Sequence, residues 1–198
     1  MEKTFSKSYR FLRSIGLKFS EAEYGQYTLG QILGRALVSF RNSILLKYCM
    51  YSVFLGSLNY RSIRAHFWRV MGCRVGKNVF IGYEVWMDFN HASLIEIEDD
   101  VHITNRCLLL CHQRNLENYY EGDDASKLPY SKNKIHLKKG CHIGMGTIIL
   151  PGVTVGQGAI IGAGSVIARD IPAWTIAKGN PASVSKYIPP RRHEHLNI

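Results

Sequence analysis

From Leu137 onward an aliphatic side chain recurs every six residues, at Leu137, Ile143, Ile149, Val155, Ile161 and Ile167. Two residues before each stands a second small or β-branched residue: Ile135, Cys141, Thr147, Val153, Ala159 and Ser165. The same frame occurs upstream at Val75, Ile81 and Met87 and again at Ile97, Ile103 and Leu109, with partners at minus two from Cys73 to Cys107. A six-residue period fits neither a helix nor a long amphipathic strand. On a short strand, positions i and i−2 point the same way. A glycine follows several of the aliphatic anchors, at Gly144, Gly156 and Gly162, where it is expected to permit a tight corner. Three strands and three corners close a triangular coil, and stacked coils bury the anchors along one axis while pairing their backbones. The twelve frames predict four such coils.

Two breaks interrupt the period, between Met87 and Ile97 and between Leu109 and Leu137, and both follow the third frame of a coil. Both insertions therefore leave the prism at the same corner. The longer, at about 113–134, is polar and charged and reads as an exposed loop. Ahead of the coils the period changes to 3.6. Leu29, Ile32, Leu33, Ala36, Leu37, Phe40 and Ile44 form one apolar helical face, and Ile63, Phe67 and Val70 alternate with Arg61, Arg64 and Arg69 in a second helix that should end at Gly72. The expected organisation is a helical region over 1–72, a mainly β coil over 73–170, and a cap and tail over 171–198.

Charge changes this picture in one respect. The chain of 198 residues has a formal net charge of +10. Residues 1–72 contribute +8 of it and residues 73–198 only +2, so the excess belongs to the helical region and not to the prism. No nucleic-acid-binding module accompanies it, and no nucleic-acid partner is expected. The helical region either caps the open end of the prism, which is a sheet edge that must be covered, or rests peripherally on an anionic membrane surface; capping is the preferred reading. The N-terminal residues lack an apolar signal core. The longest uncharged run of the helical region, Tyr48–Tyr60, falls short of the ~20 residues of a membrane span. Five cysteines without a CxxC pair point to a reducing compartment, and a cytoplasmic location, at most at the inner face of a membrane, is expected.

The segments His142–Val153 and Val155–Val166, with Lys178-Gly-Asn-Pro-Ala182 closing the coil, resemble the hexapeptide-repeat acyltransferases, in particular the maltose/galactoside O-acetyltransferase branch. The resemblance implies a left-handed parallel β-helix, a homotrimer, acetyl-CoA as the donor lying in a groove between prisms, and a sugar or glycan hydroxyl as the acceptor, most commonly in surface polysaccharide synthesis. No metal is expected.

Acyl transfer of this kind needs a base for the acceptor hydroxyl and a dipole for the developing oxyanion. His112 lies three residues after anchor Leu109, at the mouth of the long loop, and Asn90 lies three after Met87 at the same corner one coil earlier. With coils ~4.8 Å apart, the two are expected to be neighbours. The resemblance independently implies a catalytic histidine just before the extruded loop and an asparagine on the preceding coil. His112 is therefore assigned as general base, Asn90 as the group that orients or polarises, and Asp88 as the carboxylate that holds the histidine tautomer; His91 adds polar context. Cys111 adjoins His112, but neighbouring strand residues face opposite ways, which disfavours a covalent acyl-cysteine.

His102 and His142 both precede the second anchor of their coils and are expected to stack, in a groove or interface or, alternatively, around a metal. His142, Gly144, Ala163 and Gly164 are the candidates for contact with CoA, and Lys178 and Lys186, with Arg191 and Arg192 behind them, for its phosphates. His66, His136, His193 and His195 have no supporting constellation. Alternatives are a γ-type carbonic anhydrase, which needs three zinc-binding histidines, a serine acetyltransferase, and a β-helix scaffold without catalysis.

Overall fold

The computed structural model describes residues 5–17, 24–51 and 61–191. Arg192, His193, His195 and most of the uncharged run Tyr48–Tyr60 lie outside the described residues. The chain divides into two compact units, Met1–Ile44 and Leu45–Ile198.

Among the described residues three helices precede the coils: α1 (Lys7–Ser14), α2 (Leu29–Tyr51) and α3 (Arg61–Met71). The first coil then runs β1 (Arg74–Val75), β2 (Phe80–Ile81) and β3 (Trp86–Met87); the second runs β4 (Ile95–Ile97), β5 (His102–Ile103) and β6 (Leu108–Leu109). A hairpin, β7 (His112–Arg114) and β8 (Tyr130–Lys132), leaves the prism before the third coil, β9 (Ile135–Leu137), β10 (His142–Ile143) and β11 (Ile148–Ile149). The fourth is β12 (Thr154–Val155), β13 (Ile160–Ile161) and β14 (Val166–Ile167). Parallel pairing between successive coils builds three sheets, and every anchor lies over an anchor. The columns are Val75–Ile97–Leu137–Val155, Ile81–Ile103–Ile143–Ile161 and Met87–Leu109–Ile149–Ile167. All anchors except half-buried Val75 are buried, as are all of their partners at minus two. The architecture is the expected left-handed parallel β-helix.

Four features differ from the sequence reading. First, the glycine after the anchor does not make the corner. The left-handed residue stands three after the anchor, at Asn78, Glu84, Asp100, Arg106, Gly140, Gly146, Gly152, Gly158 and Gly164. The glycine after the anchor is needed because coils touch there: a Cβ on Gly144 would lie 2.5 Å from the Ile161 carbonyl oxygen, and one on Gly156 2.3 Å from the Ala173 nitrogen. Second, coiling continues past 170. Ile171 bridges to Val155, and β15 (Thr175–Gly179) pairs parallel with β13 before turning into antiparallel β16 (Ala182–Tyr187). Third, the long loop is not featureless, since its two ends pair as the β7–β8 hairpin.

Fourth, the helical faces differ. α3 ends as expected, with Gly72 in the left-handed region at φ +113, but it buries Arg64, Ala65, Trp68 and Met71, and leaves Val70 exposed. Arg64 goes inside because the first coil has no coil beneath it to use its carbonyls. Its guanidinium donates to the carbonyl oxygens of Cys49 (2.9 Å) and Ile81 (3.2 Å) and lies 4.1 Å from the Tyr83 ring. Arg69 likewise donates to the carbonyls of Val75 (2.8 Å) and Gly76. Two cations of the basic region thus bond three carbonyls of the first coil. On α2 the apolar face expected from the period is solvent-exposed, except for half-buried Ile32; burial falls instead on Asn42, Leu46, Cys49 and Met50.

Candidate active site

The third corner of the first two coils carries the candidate chemistry. β3 delivers Asp88 just beyond buried Met87, and the Asp88 N–H donates to the carbonyl of Leu109 on the coil above at 3.1 Å. The chain then winds through a 3-10 turn, Phe89–Leu94. Above it, strand alternation sends Cys111 into the core, fully buried, and His112 outward.

Asp88 is buried, with 5% of its side chain exposed, while the His112 side chain is 37% exposed. The His112 Nδ1 donates to Asp88 Oδ2 through a short contact, and His91 Nδ1 lies 3.0 Å from the same oxygen. The carboxylate therefore fixes the His112 tautomer with its proton on Nδ1 and the Nε2 lone pair available. A buried carboxylate is costly unless paired, and two imidazoles pair this one. The Tyr130 ring meets His112 edge-on at 5.3 Å; Arg114 lies 4.2 Å over Tyr130 and donates to the Leu128 carbonyl at 2.5 Å. The hairpin β7–β8 thus forms one wall of the site. Asn90 is exposed on the 3-10 turn, and Asp88, His91 and Tyr130 stand around the imidazole.

Asp88, His91 and His112 also form a two-histidine, one-carboxylate set whose donor atoms lie within 4.8 Å of one another. As it stands, both Nδ1 atoms are engaged with Asp88.

On the second sheet, His102 and His142 pair in register and stack at 4.8 Å, with Phe80 stacking on His102 at 4.3 Å. His142 borders a groove of about 540 Å³ with Lys139, Gln157, Ile160 and Trp174. Of the other expected cofactor contacts, Gly144 is wedged between coils, its carbonyl accepting from Thr147 Oγ1 at 2.7 Å. Ala163 and Gly164 are exposed, and a Cβ on Gly164 would meet nothing within 4 Å. Lys178 stacks over Gly162 on β15, and Lys186 pairs with Ile176 on the neighbouring strand; both are exposed, as is Arg191.

His136, given no role above, is held on the first sheet by Glu98 at 2.8 Å, and its neighbour Glu96 pairs with Arg74 and Lys134. The Lys134 hydrogen bond holds the Glu96 carboxyl below its ordinary range. The signal was in the frame: Arg74, Glu96 and His136 each stand one before an anchor and fall in one column.

All five cysteines are free and buried. Burial pushes Cys49 up to about 11, Cys141 up to about 12, and Cys73 and Cys107 up as well. Burial, reinforced by the Asp88 charge, pushes Cys111 up to about 12, so it is no acyl-accepting thiolate. None of the five is expected to react with an aromatic disulfide reagent at pH 8 until the chain is denatured, when all react. A folded thiol holds its proton above the ordinary 9.0, so stability is intact below pH 9 and is lost as pH rises from 9 toward 12. Unfolding midpoints measured across that window check the sign.

Residues 134–169, the third and fourth coils, match the family described as bacterial transferase hexapeptide (six repeats). Among solved structures, a hexapeptide-repeat acetyltransferase from Vibrio cholerae O1 biovar eltor, complexed with acetyl coenzyme A, superposes with a TM-score of 0.63 at 19% identity, over 87% of this chain and 100% of that one. A maltose O-acetyltransferase from Clostridium difficile 630 superposes at 0.61 with 19% identity, over 95% and 100%. A galactoside acetyltransferase in complex with coenzyme A gives 0.56 and 20%, over 93% and 92%. At such identities the likeness is one of fold. No curated protein matches the chain.

Proposed function

We propose that the protein is an acetyl-CoA-dependent O-acetyltransferase that acts on a sugar or glycan hydroxyl, in surface polysaccharide or related glycan synthesis. The observation that carries this reading is the Asp88–His112 pair at the root of the hairpin: a buried carboxylate orienting a half-exposed imidazole. Acetyl coenzyme A in one structural neighbour and coenzyme A in another support the donor. The maltose and galactoside substrates named for two neighbours support a sugar acceptor.

In this mechanism His112 Nε2 takes the proton of the acceptor hydroxyl as its oxygen attacks the thioester carbonyl. The tetrahedral intermediate collapses, the C–S bond breaks, and the imidazolium returns the proton to the departing CoA thiolate. Asp88 stabilises the transient imidazolium, and Asn90 polarises a reacting group. The groove beside His142 and the lysines Lys178 and Lys186 take the donor, and the enzyme works as a homotrimer with the donor between neighbouring prisms.

The test is release of free CoA from acetyl-CoA over a panel of sugars, nucleotide sugars and lipid-linked glycans. Turnover with one acceptor class is expected. Absence of both turnover and acetyl-CoA binding across the panel would leave a β-helix scaffold as the better reading.

A further inference from the structure

We propose that the exposed apolar face of α2 docks on the surface of an anionic lipid bilayer, with the helix lying in the plane of the interface. The proposal is independent of the acetyl-transfer reading.

The face is continuous. Leu29, Leu33, Leu37, Phe40, Ile44, Tyr48 and Tyr51 are spaced by three or four residues, and each is exposed, Leu37 by 69% and Phe40 by 67%. At 1.5 Å per residue the stripe is about 33 Å long. A run of large apolar side chains of that extent on a soluble surface marks an interaction site. The buried residues of the helix lie elsewhere on its circumference, at Asn42, Leu46, Cys49 and Met50, so the stripe is not the helix's own packing face.

Charge selects the occupant. By helical position, Arg41 and Lys47 border the stripe, and α2 contains no acidic residue. The acid-free stretch extends from Tyr24 to Tyr83 and holds eight Lys and Arg. A second copy presenting the same stripe would bring cations against cations, which disfavours symmetric self-pairing. An anionic bilayer supplies both what the stripe needs, an apolar interior, and what its border needs, negative headgroups. No helix among the described residues is long and apolar enough to cross a membrane, and an in-plane helix has no such requirement.

The test is co-sedimentation of the full chain with sucrose-loaded vesicles of phosphatidylcholine alone or of equal parts phosphatidylcholine and phosphatidylglycerol. The protein is expected to pellet with the anionic vesicles, to stay in solution with the neutral ones, and to be released by high salt. The L37E/F40E variant, confirmed as folded by circular dichroism, is expected to lose vesicle binding, and K47E to weaken it by about tenfold. K47E decides the matter if L37E/F40E fails to fold. Equal pelleting with both vesicle types, no pelleting with either, or wild-type binding by the variants overturns the proposal. So does a change in oligomeric state of folded L37E/F40E in analytical ultracentrifugation, which would show the stripe to be covered by protein.

Discussion

Replacement of His112 by alanine is expected to lower acetyl-CoA turnover by about 10²–10⁴-fold, the usual worth of a positioned general base, while acetyl-CoA binding changes little. The imidazole projects outward from the prism, with 37% of its side chain exposed, so its removal leaves no core cavity; the melting temperature should fall only as far as the loss of one of the two imidazoles that pair buried Asp88 requires. Asp88→Asn separates the two halves of the assignment. The amide keeps the size of the carboxylate but cannot stabilise an imidazolium, so turnover is expected to fall although His112 remains. Because Asp88 is buried against two histidines, this variant is also expected to lose some stability, and the two losses are read apart by measuring turnover and unfolding on the same preparation. Unchanged CoA release by His112→Ala would end the catalytic assignment.

The largest effect on stability is expected at a position wedged between two coils. Gly144→Ala places a methyl group 2.5 Å from the Ile161 oxygen and 2.6 Å from the Ala163 nitrogen. Both are backbone atoms of the next coil, held by the β10–β13 pairing, so neither can swing aside as a side-chain end would. The coils must separate locally, at a cost of about 3 kcal/mol or more. Gly140→Ala is the control. Gly140 has φ +68 and open space around its Cβ position, so its penalty is the left-handed backbone alone, about 1 kcal/mol. Urea unfolding of the two variants should rank them in that order. Equal destabilisation would show that the glycine after each anchor is not a contact between coils.

The two glycines also show how far the period could be read. It located each of them, since one follows an anchor by one residue and the other by three, yet it attached the corner to the wrong one. Backbone dihedrals and the separation of successive coils are properties of the stacked structure, and a hexapeptide pattern does not distinguish a glycine chosen for its φ from one chosen for its missing Cβ. The active-site region divides the same way. Frame arithmetic stacked His102 on His142, because that pair follows from strands in register. It did not show that the chain after Met87 winds into a 3-10 turn, and that turn sets Asp88 and His91 together against His112.

What the sequence determined by itself was everything that repeats: the anchors, the common corner of both insertions and the outward column of side chains on each face. A repeat suffices for these because each coil contacts only its neighbours, so local spacing fixes long-range position. Tertiary structure alone decided what occurs once. Arg64 reads as a polar helical position, yet it is buried, because its guanidinium bonds the Ile81 carbonyl, which no coil beneath the first uses, and the Cys49 carbonyl of α2. The apolar stripe of α2 reads as core, yet it is exposed, because the face that the fold covers is the one carrying Leu46, Cys49 and Met50. Periodicity names the face of a helix that avoids water, but only the folded chain supplies, or withholds, the surface to cover it.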